Sequence, residues 1–158
     1  METKSILITG AGGFVGAHLV KKFNLLGYMV YAAYRSKKEN IINIKNINLI
    51  NLNLPNISNL PKFYNYLIHC GADTSATTSN DEKMIQSNSL GSEKIFYHAS
   101  KMGVEKIVYL SSMSIYGDIK EKIVNEDYKP LNVDTYGQSK FKGEIHLEKI
   151  STNFNIPS

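Results

Sequence analysis

A strand, a glycine-rich turn and a helix follow one another at the amino-terminal end, and this succession constrains the fold more than any other feature. The apolar run Ile6-Leu7-Ile8 has the character of a buried parallel strand. The turn is Thr9–Gly16, and apolar residues recur at helical spacing from Phe14 to Leu26. The order strand, turn, helix predicts an α/β domain built on a parallel sheet.

The glycines of the turn are spaced Gly10-x-x-Gly13-x-x-Gly16, because Val15 occupies the third position of the commoner Gly-x-Gly-x-x-Gly pattern. Gly10 can take a backbone angle closed to other residues, Gly13 lets a ligand approach the main chain, and Gly16 lets helix and strand pack closely. The helix amino-terminus offers N–H groups to a pyrophosphate. The triplet alone is also consistent with a purely structural turn, whereas the flanking strand and helix favour nucleotide binding.

Size and composition narrow the class of protein. The 158 residues are enough for about one domain with a core, and 42% of them are hydrophobic, which is ordinary for a globular protein. The one cysteine, Cys70, excludes an internal disulfide and fits a cytoplasmic location. The net charge of +4 is spread without a dense basic block. We therefore expect one domain over residues 1–158 that binds neither nucleic acid nor membrane, with no signal peptide.

The rest of the chain continues the alternation of strands and helices. Strands are predicted over residues 28–34, 47–52, 64–70 and 105–110, and helices over 81–102 and 135–150. Right-handed crossovers then give a doubly wound Rossmann sheet in the order 3-2-1-4-5. A ligand should lie beyond the carboxyl ends of the strands, at the switch between strands one and four. The segments that follow strand ends are Gly10–Gly16, Arg35, Asn53, Gly71 and Ser111–Ser112.

A tyrosine and a lysine stand four residues apart at the start of the last predicted helix, Tyr136-x-x-x-Lys140, and therefore share one helix face. The ammonium favours the phenolate, which could exchange a proton with a substrate hydroxyl or carbonyl while hydride moves on a nicotinamide. A hydroxyl of Ser111-Ser112, after strand five, could hydrogen-bond the same oxygen. The alternatives are a solvated helix face and a serine turn that satisfies its own backbone.

Together these motifs resemble the extended short-chain dehydrogenase/reductase family, specifically its NAD(P)-dependent sugar-nucleotide epimerase/dehydratase group. The resemblance runs in family order over almost the whole chain. It implies an oxidoreductase or epimerase that acts on a nucleotide-linked sugar. The matching segments are Thr9–Gly16, Leu67–Ala72, Asn88, Tyr109–Ser112 with Tyr116-Gly117, and Tyr136-x-x-x-Lys140.

The resemblance also assigns roles. It implies that Ser112 orients the substrate, that Tyr136 is the acid/base, and that Lys140 binds the nicotinamide ribose and tunes the tyrosine. Met113-Ser114 stands where 4,6-dehydratases have Asp-Glu, which favours epimerisation or carbonyl/alcohol redox over dehydration. Besides Tyr136 and Lys140, the implied cofactor-binding residues are Gly10, Gly13, Phe14, Val15, Asn53 (where the family usually has Asp), Leu54, Cys70, Gly71, Ala72 and Asn88.

The end of strand two predicts which cofactor is bound. Arg35, the one arginine of the chain, follows that strand, and no acidic residue precedes Glu39. NAD-selective proteins usually carry an acid there for the ribose 2′-hydroxyl, whereas a guanidinium suits a 2′-phosphate. We therefore expect Arg35 to contact the cofactor and NADP to be preferred over NAD. No metal site is expected.

Members of the resembled family continue beyond this length with a substrate-binding lobe that is missing here. The chain is then either a piece of a longer protein or a natural short form, and the 158-residue form could be inactive. A non-catalytic NAD(P)-binding module or fragment is the alternative function. Apolar residues on both long helices exceed one buried face, and the resemblance implies a homodimer through these helices.

Overall fold

A computed structural model describes residues 3–158 and contains a five-stranded parallel sheet. The predicted strand order is confirmed, because the strands are arranged β3-β2-β1-β4-β5. Residue pairs such as Leu7 with Tyr31 and Leu7 with Leu67 place β1 at the centre, between β2 and β4. The strands are β1 (Ser5–Thr9), β2 (Met29–Tyr34), β3 (Ile47–Asn51), β4 (Tyr66–His69) and β5 (Lys106–Tyr109).

The helices are α1 (Phe14–Leu25), α2 (Asp81–Ile85), α3 (Gly91–Lys101) and α4 (Thr135–Phe154). A π-helical turn, Gln86–Leu90, joins α2 to α3, so the helix predicted over residues 81–102 is one helical segment with an altered turn inside it. The loop that follows β5 contains a 3-10 turn, Met113–Tyr116. Between residues 3 and 158, no helix is long and apolar enough to cross a membrane.

The central strand β1 is buried along its whole length, and its side chains alternate between two hydrophobic cores. Leu7 belongs to the core that contains Phe96 of α3. Ile6 and Ile8 belong to the other core, which contains Val20 of α1. Helices therefore cover both faces of the sheet, as the doubly wound prediction requires.

The first helix ends one residue earlier than its apolar pattern predicts. Val20 is buried and packs with the partly buried Leu19 and Phe23, but Leu26 is 57% exposed. Leu26 is the carboxyl cap of α1, and Gly27 follows with a φ of 83°. Because glycine adopts this left-handed angle without strain, the chain reverses there and carries Leu26 away from the core.

The two long helices carry more apolar residues than one buried face requires, but the excess is smaller than the sequence suggests. Four of the apolar residues that the two helical segments supply are core residues of the single chain, namely Ile95, Phe96, Ala99 and Leu147. Leu90, Phe141 and Ile145 are exposed. Part of the predicted surplus is therefore needed by the fold itself.

The outer flank of β5 has no neighbouring strand among residues 3–158. Ile107 N–H donates a hydrogen bond to the Pro157 carbonyl (3.0 Å), so the last residues run beside this strand. A groove of about 450 Å³ lies next to it, and Val108 and Ser111 line this groove together with Glu144 of α4. Val108 is exposed even though it belongs to a strand.

Candidate functional site

A cavity of about 530 Å³ lies where β1, β2 and β4 end. This is the predicted position, at the switch between the first and fourth strands of the sheet. Its lining comes from the end of β1, the glycine turn, the segment after β2 and the segment after β4. The lining residues are Thr9, Gly10, Gly12, Gly13, Ala33, Tyr34, Arg35, Ser36, Lys37, Leu52, Leu54, Cys70, Gly71, Ala72, Ala76, Thr77 and Ser87.

The glycine turn is packed against backbone on several sides. Gly10 has a φ of 65°, and a Cβ there would lie 2.7 Å from the Gly71 nitrogen. A Cβ on Gly16 would lie 2.2 Å from the Gly10 carbonyl oxygen, so α1 packs directly on the turn. A Cβ on Gly12 would lie 1.7 Å from the Lys37 carbonyl oxygen. These glycines leave the cavity floor without side chains, as an approach of phosphate to main chain requires.

The helix that follows the turn begins at Phe14, and its first N–H groups have no partner within the helix. Phe14 is 80% exposed, Val15 is exposed as well, and neither side chain lines the cavity. The predicted involvement of these two residues therefore depends on their backbone N–H groups. The capping residue Gly13 adds no side-chain cap that would compete for them.

The residues predicted to hold the cofactor divide into two groups. Asn53 does not line the cavity; it lines a neighbouring pocket together with Leu54, Pro55 and Lys94. Phe14, Val15, Asn88, Tyr136 and Lys140 are not part of the lining either. The predicted residues that do line the cavity are Gly10, Gly13, Arg35, Leu54, Cys70, Gly71 and Ala72.

Asn88, expected near the nicotinamide, is a buried link between segments of the fold. Its Oδ1 accepts a hydrogen bond from Asp73 N–H (2.6 Å), and its Nδ2 donates to the Asp73 carbonyl (2.7 Å). The same Nδ2 donates to Ser139 Oγ in α4 (3.0 Å). Asn88 therefore fixes the segment after β4 relative to the helix that carries Tyr136 and Lys140.

Sequence reasoning missed several residues of the lining. Ser36 and Lys37 directly follow β2, and the rule that strand ends gather at one edge could have included them. Gly12 also lines the cavity but is not among the predicted residues. It is the most crowded glycine of the turn, because the Lys37 carbonyl oxygen lies so close to it. Thr77 and Ser87 reach the cavity through the folding of the loop after β4, which no local pattern indicates.

A directed chain of hydrogen bonds runs beneath the cavity. Ser92 Oγ donates to the Asn88 carbonyl (2.5 Å), so it must accept from His69 Nε2–H (2.9 Å). His69 is therefore protonated on Nε2, and its Nδ1 accepts from the Thr9 hydroxyl (2.5 Å). Thr9 Oγ1 in turn accepts from Gly71 N–H (3.2 Å). The chain ties the ends of β1 and β4 together under the cavity.

His69 is fully buried and neutral. Burial, together with the positive charge of Lys140, lowers the pKa of the imidazole from 6.5 to about 3. The ring also stacks on Tyr109, with the ring centres 5.5 Å apart. His69 is thus a structural residue beneath the cavity rather than a proton donor at neutral pH.

Lys140 of α4 is only 1% exposed, and its ammonium lies 4.0 Å from the centre of the Tyr109 ring. Burial lowers the pKa of Lys140 from 10.5 to about 8, and the charges of Cys70 and Glu144 act in the opposite direction. Burial likewise raises the pKa of the Cys70 thiol to about 11. Cys70 lines the cavity, whereas Lys140 does not.

Tyr136 and Ser112 lie on two elements that contact each other. Tyr136 is in the first turn of α4, one helical turn before Lys140, and is partly exposed. A Cβ on the next residue, Gly137, would lie 2.2 Å from the Ser114 carbonyl oxygen. The start of α4 therefore packs closely on the 3-10 turn that Ser112 caps.

The two serines after β5 differ in their hydrogen bonds. Ser112 Oγ accepts from Ser114 N–H (3.2 Å), so the self-satisfying serine turn, the alternative noted above, is present. Ser111 Oγ is buried and has no hydrogen-bond partner among the residues that the structure describes. The Ser112 hydroxyl also donates to Ser114 Oγ (3.2 Å), so its partly exposed side chain keeps one acceptor position for a further hydrogen bond.

Arg35 lines the cavity but already has an acidic partner. Its Nη1 pairs with Oδ1 of Asp73, a residue of the segment after β4. The guanidinium that the sequence offers to a 2′-phosphate is therefore engaged across the cavity. The sequence contains no local signal for this pair, because the two residues are 38 positions apart.

The chain is similar to known proteins in both sequence and fold. The family model described as "NAD dependent epimerase/dehydratase family" matches residues 6–158. An uncharacterized protein of Methanocaldococcus jannaschii is 30% identical over 170 residues, which cover 92% of this chain and 51% of that protein. Both findings extend over almost the whole chain.

Solved structures resemble the fold closely. A crystal structure of UDP-galactose 4-epimerase has a TM-score of 0.86 and 25% identity, covering 96% of this chain and 53% of that one. UDP-glucuronic acid 4-epimerase from Bacillus cereus, in complex with NAD, has a TM-score of 0.83 and 22% identity, covering 96% and 54%. The chain therefore spans about half the length of the relatives that it matches.

Proposed function

The chain belongs to the NAD dependent epimerase/dehydratase family, and from that premise we propose that residues 1–158 are the cofactor-binding domain of an NAD(P)-dependent epimerase or oxidoreductase that acts on a nucleotide-linked sugar. The observation that carries this proposal is the cavity over the glycine turn, at the carboxyl ends of β1, β2 and β4. The names of the similar solved structures, both epimerases of UDP-sugars, supply the substrate class.

A dinucleotide fits the residues that are present. Gly10, Gly12 and Gly16 permit no side chain, so the main chain and the first N–H groups of α1 are open to a pyrophosphate. Leu52 and Leu54 give the cavity an apolar side that suits a base. Cys70, Gly71 and Ala72 would line the path from the pyrophosphate toward α4.

The catalytic groups would be Ser112, Tyr136 and Lys140. The bound nicotinamide would supply the chemistry of taking and returning a hydride. Ser112 would hold the reacting substrate oxygen, and the Tyr136 hydroxyl would give or take its proton. Lys140 would bind the nicotinamide ribose, and its own charge would change with conditions near pH 8, because burial lowers its pKa to about 8.

The cofactor is proposed as NAD or NADP. The Bacillus cereus enzyme was solved with NAD. The preference for NADP that Arg35 suggests stays a prediction, and the guanidinium on which it depends is paired with Asp73. Asn88 would act by fixing the segment after β4 rather than by direct contact with cofactor.

A non-catalytic NAD(P)-binding module is the second candidate, and one observation favours it for this chain. Tyr136 and Ser112 do not line the cavity, and the flank of β5 next to Ser111 is an open groove. Without walls around a substrate, little orients it or excludes water. We expect these 158 residues to bind NAD(P) but to turn over nucleotide sugars at no useful rate.

Three further properties are proposed from the sequence. A homodimer would use Leu90, Phe141 and Ile145, which are exposed apolar residues of the two long helical segments. The protein would be cytoplasmic, in keeping with its single cysteine. It would bind neither nucleic acid nor a membrane, because its positive charge forms no dense block.

The first test is a calorimetric titration of the 158-residue chain with NAD and with NADP. Binding of either supports the cofactor-binding domain. A Gly12→Val variant should lose that binding, because its side chain would collide with the Lys37 carbonyl. If the wild-type chain binds neither dinucleotide, the proposed function is wrong.

The second test separates the enzyme from the module. The chain is incubated with oxidised cofactor and a panel of nucleotide sugars that carry deuterium on their ring carbons, and transfer of the label to the cofactor is followed by mass spectrometry. Tyr136→Phe is compared with Tyr97→Phe, a matched change at an exposed tyrosine of α3. Transfer that is lost only in Tyr136→Phe would make the 158-residue chain a complete enzyme, contrary to our expectation for this length.

A further inference from the structure

The pair formed by Arg35 and Asp73 crosses the carboxyl end of the central strand. Arg35 follows β2 and Asp73 follows β4, and β1 lies between these two strands in the sheet. Arg35 lines the cavity on one side, whereas Ala72 and Thr77 line it on the side of Asp73. The ion pair therefore joins the two walls between which the proposed cofactor would lie.

Asp73 is the fixed member of the pair. Asn88 binds both its N–H and its carbonyl group, at 2.6 and 2.7 Å, and Thr77 Oγ1 donates to its Oδ1 at 3.1 Å. Its side chain is 1% exposed, compared with 39% for the side chain of Arg35. The carboxylate is thus held in place, and the guanidinium is the member with room to move.

Arg35 is the cation that compensates the negative charge of the buried Asp73 carboxylate. Among the residues that the structure describes, Asp73 Oδ2 has no hydrogen-bond partner, and Oδ1 receives only Arg35 and Thr77. Taking the guanidinium away would leave a buried negative charge without a cation, which is unfavourable. Any ligand that recruits Arg35 must therefore compete with Asp73.

This competition bears on the choice between the two dinucleotides. A 2′-phosphate is a dianion that would need the guanidinium and would also approach the charge of Asp73. A free 2′-hydroxyl makes no such demand and leaves the pair intact. An acid that repels the 2′-phosphate usually ends the second strand, and no acid stands there in this chain.

We propose that Asp73 is a specificity-determining residue, which disfavours the 2′-phosphate of NADP by holding Arg35 in an ion pair across the cavity. The proposal rests on the proposed cofactor-binding function. In this arrangement the loop after β4 supplies the acid that the end of β2 lacks.

The test measures the ratio of the dissociation constants for NADP and NAD by calorimetry at fixed salt. Asp73→Asn keeps an oxygen for the Thr77 hydroxyl but removes the charge, so Arg35 is released to the phosphate. The ratio should fall by about tenfold or more toward NADP, the factor that about 1.4 kcal/mol produces. Asp127→Asn, which removes an exposed carboxylate away from the cavity lining, should leave the ratio unchanged.

A second variant does not depend on the folding of the first. If Asp73 already holds Arg35 in the wild-type chain, Arg35→Gln should weaken NADP by less than about threefold, well under 1 kcal/mol. In the Arg35→Gln background, Asp73→Asn should have a smaller effect than in the wild type. Both results are expected only if Asp73 and the 2′-phosphate compete for the Arg35 guanidinium.

Two outcomes would overturn the proposal. One is an unchanged ratio in a folded Asp73→Asn variant. The other is a loss of NADP affinity of tenfold or more in Arg35→Gln, since Arg35 would then already bind the phosphate. Either result leaves the cofactor site itself in place, whereas a wild-type chain that binds neither dinucleotide would refute the proposed function instead.

Discussion

Arg35 and Lys140 are two cations beside the same cavity, and the chain surrounds them in opposite ways. Arg35 is partly exposed and has a carboxylate partner, Asp73, which is itself buried. Lys140 is buried, and its ammonium faces the ring of Tyr109 instead of a carboxylate. In the first region the protein needs the cation to neutralise an acid. In the second, burial makes the charged form of Lys140 unfavourable, and this lowers the pKa of the ammonium to about 8.

This difference shows that the contribution of a cation to stability depends on the groups that remain after the cation is removed. Without Arg35, a buried carboxylate loses its partner. Without Lys140, a buried region loses a charge that was unfavourable there. The two cations should therefore have opposite effects on the free energy of unfolding, even though both are proposed to serve the same cofactor site.

The largest effect is expected at the ring that supports Lys140. Tyr109→Leu removes the π face below the ammonium and the stacking on His69, and should lower the free energy of unfolding by about 3 kcal/mol. Urea unfolding measures this loss. Tyr109→Phe keeps the ring and should cost less than about 1 kcal/mol. Equal losses in both variants would mean that the hydroxyl, and not the ring, is the important group.

The next effect should have the opposite sign. Lys140→Met should raise the free energy of unfolding by about 2 kcal/mol at pH 7, because the buried ammonium is removed. With folded and ordinary pKa values of about 8 and 10.5, the unfolded wild type binds more protons between these pH values. Wild-type stability therefore rises through this window relative to the variant, and the advantage of Met shrinks.

This pH dependence has a simple control in the same helix. Lys142 is exposed on α4, and Lys142→Met should change stability by less than about 0.5 kcal/mol. Urea unfolding at several pH values from 7 to about 10.5 compares the two variants. A Lys140→Met variant that is less stable than wild type at pH 7 would show that the ammonium is a net stabilising group.

A smaller loss is expected at the other cation. Arg35→Gln should lower the free energy of unfolding by about 1 kcal/mol, because the Asp73 carboxylate is buried but the Arg35 side chain is partly solvated. In Arg35→Gln/Asp73→Asn, part of that loss should be recovered. Chemical unfolding of the single and double variants gives the coupling between the two residues. If Arg35→Gln raised the free energy of unfolding, the two cations would affect stability with the same sign, contrary to our expectation.

The smallest effect concerns the proposed dimer. Phe141→Ser/Ile145→Ser should reduce the mass measured by light scattering to that of a monomer, while changing monomer stability by less than about 0.5 kcal/mol. Because Lys140 is buried within one chain, the pH dependence described above should persist in this variant. A pH dependence that vanished with the dimer would mean that association, rather than the fold, lowers the pKa of Lys140.

Much of the fold could be predicted because its signals are local. The apolar runs of β1 and β4 and the glycine turn between β1 and α1 placed the sheet order and the cavity correctly. The lining glycines Gly10, Gly13 and Gly71 were found from strand ends and spacing. These features follow from periodicity and backbone geometry, which short stretches of sequence record.

What could not be predicted depends on contacts between distant segments. The π-helical turn forms where Asn88 binds the backbone of Asp73 and the side chain of Ser139, and helical periodicity does not indicate it. The pairing of Arg35 with Asp73 and the crowding of Gly12 against Lys37 are of the same kind. Each arises only after the sheet has brought its strand ends together.

The buried imidazole of His69 makes the chain suitable for nuclear magnetic resonance. Its Nε2 proton donates to Ser92 inside the core, so exchange with water should be slow and the proton should give a resolved downfield signal. Its Nδ1 is joined to Thr9, which lines the cavity. A dinucleotide that enters the cavity should therefore shift this resonance, which reports on the occupied site from beneath it without any attached label.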